Sequence, residues 1–196
     1  LTGVFLEVRL PLAAALGAAF GGPFRIGGDG DLQAGEGAFE TLTSGSSGQP
    51  RRILRSMASW TGSFAVNAGL FGIGQGVRVG VLGRLVHSLS LYAAVEGLHL
   101  GAEVHVLDAL RPDRQRLALA ARGVEVLYAT PAQLRLMVEA GGPELGLRLV
   151  VVGGSKLDAA LRAGVLAMAP AAVVREFYGA AEASFITLSG PECPEA

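Results

Sequence analysis

Downstream of residue 55, apolar side chains recur with two alternating periods. The stretch "SMASWTGSFAVNAGLFGIG" (56–74) has helical spacing, with Ser56 placed as N-cap and glycines closing it. "VRVGVLG" (77–83) then predicts a short strand, "SLSLYAAVEGLHLG" (88–101) a helix closed by Gly101, and "AEVHVLD" a further strand. "RPDRQRLALAARG" (111–123) predicts a helix with Pro112 in its first turn and Gly123 past its end. "VEVLYA" reads as a strand, "TPAQLRLMVEAGG" as a helix capped by Thr130 with Pro131 at its first position, and "LRLVVVGG" as a strand apolar throughout. "KLDAALRAGVLAMAP" predicts a last helix, with Lys156 on the surface of its start, and "AVVREFYG" and "SFITLSG" finish as strands. Ahead of this regular part, "GGPFRIGGDGDLQAGEG" (21–37) reads as loops around one short strand.

Strands alternating with helices of ten to fifteen residues predict an α/β fold: a mostly parallel sheet built from right-handed crossovers and flanked by helices on both faces. Ligands in such sheets collect beyond the carboxyl ends of the strands, where "GGSK" and "YGAAEAS" are expected to lie as loops. With no repeat and no clear linker, residues 1–196 are expected to form a single α/β domain, residues 1–38 being its less regular part. Trp60 and Phe64, four apart on a helix, are expected in the core rather than on a ligand platform.

Composition narrows the partners. Half the residues are hydrophobic (51%), enough for a well-filled core at 196 residues. The 16 basic and 17 acidic side chains give a net charge of −1, so no global field recommends nucleic acid or an anionic membrane. Cys193 is the only cysteine, which excludes an internal disulfide and a cysteine metal site and fits a reducing, cytoplasmic setting. "LPLAAALGAAFGG" (10–22) lacks a basic flank and is preceded by Glu7 and Arg9, so it does not read as a signal peptide; no run reaches the ~18 apolar residues of a spanning helix. A chain that opens on leucine suggests a trimmed start.

One segment breaks the apolar pattern. "TLTSGSSGQPRRI" (41–53) combines small and hydroxyl residues with a proline and two arginines. Successive backbone N–H groups in such a run can turn inward to hold phosphate oxygens, and the hydroxyls and arginines add donors and charge. Spacing separates the alternatives: Gly45 and Gly48 stand too close for a P-loop and no lysine follows, "GIGQG" (72–76) is not a dinucleotide fingerprint, and Gln49 stands where a nucleophile elbow needs glycine. A solvated Gly/Ser linker is the competing reading.

The order of residues "TSGSSGQPR" resembles the phosphate-binding loop of adenylate-forming enzymes, the superfamily of acyl- and aryl-CoA synthetases, peptide-synthetase adenylation domains and luciferases. Arg51 replaces the usual lysine. Four later segments resemble the family in the same order: "LGRLVHSLSLYAAVEGLHLGAEVHVLD" with His87 on the family histidine, "VEVLYATPAQLRLMVEAG", "LRLVVVGGSKLDAAL", and "VVREFYGAAEASFIT", in which Ala181 occupies a threonine position. The resemblance covers roughly residues 39 to 189.

What the resemblance implies is ATP-dependent activation of a small carboxylic acid to an acyl adenylate, followed by transfer to a thiol, commonly coenzyme A. Thr43, Ser44, Gly45, Ser46, Ser47 and Gly48 would hold the β- and γ-phosphates with Arg51 assisting, and Glu182 would coordinate Mg²⁺. Gly153, Gly154 and Ser155 would flank adenine, Tyr178 would stack on it with Gly179, Ala180 and Ala181 following, and His87 would sit near the acyl carboxylate or gate the thiol channel. The loss of the hydroxyl at Ala181 implies weak or altered activity. The family's ribose aspartate and its small lysine-bearing C-terminal domain have no counterpart here, so the chain is expected to be the nucleotide-binding portion and not to turn over alone. Two alternatives stay open: a non-catalytic nucleotide- or acyl-binding relative, and an unrelated α/β protein whose Ser/Gly loop binds another phosphate ester.

Overall fold

In the computed structural model, residues 3–5, 16, 21–42 and 51–189 are described. The N-terminal part builds a sheet of its own from β1 (Gly3–Phe5), β2 (Phe24–Ile26), β3 (Ala38–Leu42) and β4 (Arg52–Ser56), in that order. β1, β2 and β3 run parallel, and β4 returns antiparallel to β3. Only β2 is predicted by the sequence pattern. β3 and β4 are hidden because polar residues are buried and an apolar one is not: Glu40 and Thr41, on opposite faces of β3, are both buried, while Leu54 is 59% exposed. The segment that joins them, 43–50, lies outside the described residues.

The second sheet comprises β5 (Arg78–Val81), β6 (Glu103–Val106), β7 (Val126–Ala129), β8 (Leu149–Val152), β9 (Val173–Ala180) and β10 (Ser184–Leu188), in the order β10-β9-β8-β7-β5-β6. Every pairing is parallel except β9 with β10. Strand side chains alternate between two cores. Val79, Val81, Val126, Tyr128, Leu149 and Val151 face α1 (Met57–Phe71) and α2 (Ser88–His99); Leu127, Ala129, Val150, Val152 and Val174 face α3 (Pro112–Ala121), α4 (Pro131–Ala140) and α5 (Ala159–Met168). The α/β class with helices on both faces therefore holds, with the N-terminal sheet as the addition.

Local chemistry fixes the helix ends. Ser56 caps α1 by accepting from the Ser59 amide, and Gly72 closes it at φ 61°. Thr130 and Gln133 form a reciprocal capping box at α4 behind Pro131. Asp158, accepting from the Leu161 amide at 2.7 Å, starts α5, so Lys156 precedes the helix instead of opening it. Trp60 and Phe64 are buried as expected: Phe24, Phe39, Trp60, Phe64 and Tyr92 form a ring contact series that ties the N-terminal sheet to α1 and α2. Among the described residues no helix is long and apolar enough to cross a membrane.

Beside this aromatic series lies a polar knot absent from any sequence pattern. Glu96 of α2 is fully buried and accepts hydrogen bonds from the Tyr128 hydroxyl and from Asn67 Nδ2, the latter at 2.7 Å. Asn67 also donates to the Tyr92 hydroxyl, which meets Ser63. Burial pushes the Glu96 carboxyl up to about 7, against the lowering effect of the hydrogen bonds from Tyr128, Asn67 and Tyr92. A carboxyl raised in the folded state holds a proton that the unfolded chain has lost, so its contribution falls as pH rises from about 4.5 to 7, by on the order of 3 kcal/mol. His105, whose imidazole partial burial holds below its ordinary value, acts in the opposite direction over an overlapping window. Urea midpoints at pH 5 and pH 8 separate the two: E96Q is expected to abolish the fall between those values, and an unchanged fall in E96Q would assign it elsewhere.

Candidate functional site

The strand order reverses at β5 and β7, where the following helices pass to opposite faces, and a crevice forms at the carboxyl ends of the strands in such sheets. The chain leaving β5 is clamped there. Gln115, buried on α3, donates from Nε2 to the carbonyls of Leu82 (3.2 Å) and Leu107 (3.0 Å), joining the exits of β5 and β6. At Gly83 a Cβ would lie 2.5 Å from Ser90 Oγ and 2.7 Å from Gln133 Nε2, so only glycine lets this loop pass between α2 and α4. The loop delivers His87, exposed, to the N-cap of α2.

His87 sits beside one end of the Ser/Gly segment. Leu42, the last residue of β3, pairs with His87 in an isolated parallel bridge, and Thr41 Oγ1 lies 2.8 Å from Ser88 Oγ. At the other end, Arg51 Nη2 lies 3.9 Å from Glu182 Oε1. Both side chains are exposed, so the contact contributes little energy, and its interest is positional. Glu182 also acts on Arg55, whose guanidinium is held below its ordinary value by burial, with the carboxylate opposing. Thr43, Ser44, Gly45, Ser46, Ser47 and Gly48 lie outside the described residues; the flanking Leu42 and Arg51 lie beside His87 and Glu182.

The root of that segment is fixed by buried charge. Arg25 Nη1 donates to Glu40 Oε2 at 2.5 Å, both side chains being inaccessible, and Arg52 Nε reaches the same oxygen at 3.2 Å. Glu40 Oε1 accepts from the amides of Gln33 and Ala34. Burial raises the Glu40 carboxyl, but the Arg25 hydrogen bond and the two amides outweigh it and leave the group below its ordinary value. Arg25 in turn donates to the carbonyls of Gly27 and Gly30, at 2.8 and 2.7 Å, wrapping the glycine-rich loop around itself.

The exits of β8 and β9 make the third wall. Gly153 follows β8, and a Cβ there would lie 2.4 Å from Cε1 of Phe177, so the turn runs against the Phe177 ring of β9. Gly154 (φ 94°) and Ser155 are exposed next to it. Tyr178, 67% exposed, stands at the end of this wall, with Gly179 and Ala180 completing β9. The expected "YGAAEAS" loop is shorter than its sequence suggests: only Ala181, Glu182 and Ala183 form the turn, closed by the Ala183 amide on the Ala180 carbonyl at 3.1 Å. Sequence reasoning missed Arg25, Glu40, Gln115, Gln133 and Glu176, all of which hold loops in place. For Arg25, Glu40, Gln133 and Glu176 the only signal was a polar side chain beside apolar ones; Gln115, among Asp113, Arg114 and Arg116, had none.

Among the described residues no three His, Cys, Asp or Glu side chains gather as a metal cage. Glu182 offers one exposed carboxylate, which suits Mg²⁺ completed by phosphate oxygens and water rather than by protein alone.

The sequence profile of the family described as AMP-binding enzyme matches residues 28–196. An acyl-CoA ligase of Bacillus subtilis, YhfT, itself uncharacterised, is 32% identical over 152 residues, covering 77% of this chain and 32% of the relative. Among solved structures, o-succinylbenzoate CoA synthetase from Bacillus subtilis superposes with a TM-score of 0.74 at 16% identity, covering 97% of this chain and 51% of that one. The adenylation domain AlmE of Vibrio cholerae, solved with glycyl-adenosine-5'-phosphate, gives a TM-score of 0.69 at 25% identity, over 79% of this chain and 30% of that one. The chain spans about a third of the length of the curated relatives it matches first.

The Gly153 contact yields a direct test. Gly153→Ala must displace the Phe177 ring, an overpacked change expected to cost about 1–3 kcal/mol. A lowered urea midpoint with an unchanged slope is the expected result; an unaltered midpoint would show that the ring yields freely.

Proposed function

Because the chain belongs to the AMP-binding enzyme family, we propose that it supplies the nucleotide-binding part of a ligase that joins a carboxylic acid to the α-phosphate of ATP, releases pyrophosphate and passes the acyl group to a thiol, commonly that of coenzyme A. A cytoplasmic setting, where ATP and coenzyme A are supplied, fits this reaction. The observation that carries this reading is that the two residues flanking 43–50, Leu42 and Arg51, lie beside His87 and Glu182.

An anionic carboxylate must approach a polyanionic triphosphate, and the chemistry turns on neutralising that charge. Amides and hydroxyls of Thr43, Ser44, Gly45, Ser46, Ser47 and Gly48 would hold the β- and γ-phosphates, with Arg51 adding a fixed cation at their edge. Mg²⁺, held by Glu182 and phosphate oxygens, would supply the remaining positive charge. Gly153, Gly154 and Ser155 on one side and Tyr178 on the other would take the adenine, whose flat ring suits a glycine turn facing an exposed aromatic. Gly179, Ala180 and Ala181 would pass beneath the phosphates, and His87, exposed at the start of α2, would orient the acid carboxylate. The glycyl adenylate bound by AlmE is an acyl adenylate, the intermediate this route requires.

Ala181 favours a second reading. A turn without a hydroxyl at that position has one ligand fewer for phosphate or ion, which suits a relative that binds nucleotide without activating an acid.

Calorimetric titration with ATP, with and without Mg²⁺, tests the shared premise. E182Q is expected to weaken Mg²⁺-dependent ATP binding about tenfold or more while leaving metal-free binding little changed. Tight binding of a sugar phosphate with none of ATP would sink both readings.

A further inference from the structure

The turn between β8 and α5, residues 153–158, is held at its ends by the Gly153 amide on the Ala129 carbonyl (3.2 Å) and by Asp158 on Arg135 (2.7 Å), and Glu176 holds the stretch between them. Glu176 stands on β9 opposite Val152 of β8. One of its carboxylate oxygens accepts from the Leu157 amide at 2.9 Å, and the other accepts from Arg162 Nη2 of α5 at 2.8 Å. Its own backbone is fixed from the β10 side, where its amide donates to Ser189 Oγ at 3.0 Å and its carbonyl accepts from the Ser189 amide at 2.8 Å. Leu157 is buried at 4% exposure, so its amide has little access to water should the carboxylate be removed. Two residues along the same strand, Tyr178 presents its exposed ring.

From this we infer that Glu176 is the positioning residue of the adenine slot: by gripping Leu157 and Arg162 it sets the spacing between the 153–158 turn and the Tyr178 ring. Glu176 need not touch nucleotide to do so, since both oxygens are engaged with the protein. Residues 153–155 reach β9 from one side through the Gly153–Phe177 contact and from the other through Leu157, and only the second attachment is polar and specific in direction. The inference rests on the reading that this turn and Tyr178 flank a nucleotide base.

The test compares magnesium ATP with magnesium tripolyphosphate, which keeps the phosphates and lacks the base, by calorimetric titration of the full chain. Wild type is expected to prefer ATP. E176A is expected to lose that preference, ATP weakening about tenfold while tripolyphosphate binding stays within about twofold. E176Q, which keeps a carbonyl oxygen for the Leu157 amide and loses the Arg162 ion pair, is expected to fall between E176A and wild type. An E176A variant with the wild-type preference overturns this inference and leaves the parent reading standing. A wild type that does not distinguish the two ligands overturns the parent reading and this inference with it. Should E176A lose both ligands through misfolding, R162M decides: it removes the ion pair and spares the Leu157 bond. A reduced ATP preference in R162M supports the positioning role, and an unchanged one overturns it.

Discussion

The pairing of Arg25 with Glu40 is the constraint on which the candidate site depends. Two opposite charges at zero exposure are costly to remove from water, and a pair of this kind adds little net stability over an apolar one. What it adds is geometry. Glu40 is satisfied from four directions, by Arg25, Arg52 and the amides of Gln33 and Ala34, and a shift of β3 by one residue would turn the carboxylate to the opposite face and strand all four partners. The register of β3 against β4 is thereby fixed, and with it the points where residues 43–50 leave and rejoin the sheet.

The same logic recurs at the other walls. Gln115 joins the exits of β5 and β6, Gln133 closes the α4 cap while lining the Gly83 passage, and Glu176 joins β9 to the β8 turn. Each is a polar side chain facing backbone groups at the carboxyl edge, where parallel strands end and their ladder no longer satisfies the chain. The glycines work with them: Gly83 and Gly153 let backbone approach side chains at distances that a Cβ would forbid. Rigid loops at this edge follow from polar clamps and missing side chains together, and the apolar cores beneath supply the platform.

This division explains how much was legible in the sequence. Four of the five helices described, and the six strands of the larger sheet, appear as apolar periodicities, because burial on one or both faces writes itself into neighbouring residues; α3, which buries Gln115 and Arg116, shows itself by Pro112 and Gly123 at its ends. The segments carrying His87, Gly153 and Tyr178 stand out by their order along the chain. β3 and β4 do not, since Glu40 and Thr41 are buried on the two faces of β3 and Leu54 is exposed, the reverse of the pattern that betrays a strand. Glu96 could not be found either: its partners Asn67, Tyr92 and Tyr128 lie up to 32 positions away, and nothing in a one-dimensional pattern pairs them. Arg25 and Glu40 are separated by 15 positions and suffer the same loss. Periodicity reports which side chains are buried, whereas polar pairing is a property of the folded arrangement.

The contact between Arg51 and Glu182 acquires meaning from its weakness. At 3.9 Å between exposed side chains it contributes at most about 1 kcal/mol, so separating the two costs little. On the proposed reading, a triphosphate entering between them offers Arg51 a denser anion than a single carboxylate, and charge-assisted hydrogen bonds to phosphate oxygens are the stronger kind. Glu182 is then left facing phosphate, where like charges repel unless a cation lies between. On that reading a divalent ion would enter together with the nucleotide, because the phosphate would draw away from Glu182 the arginine that stands beside it.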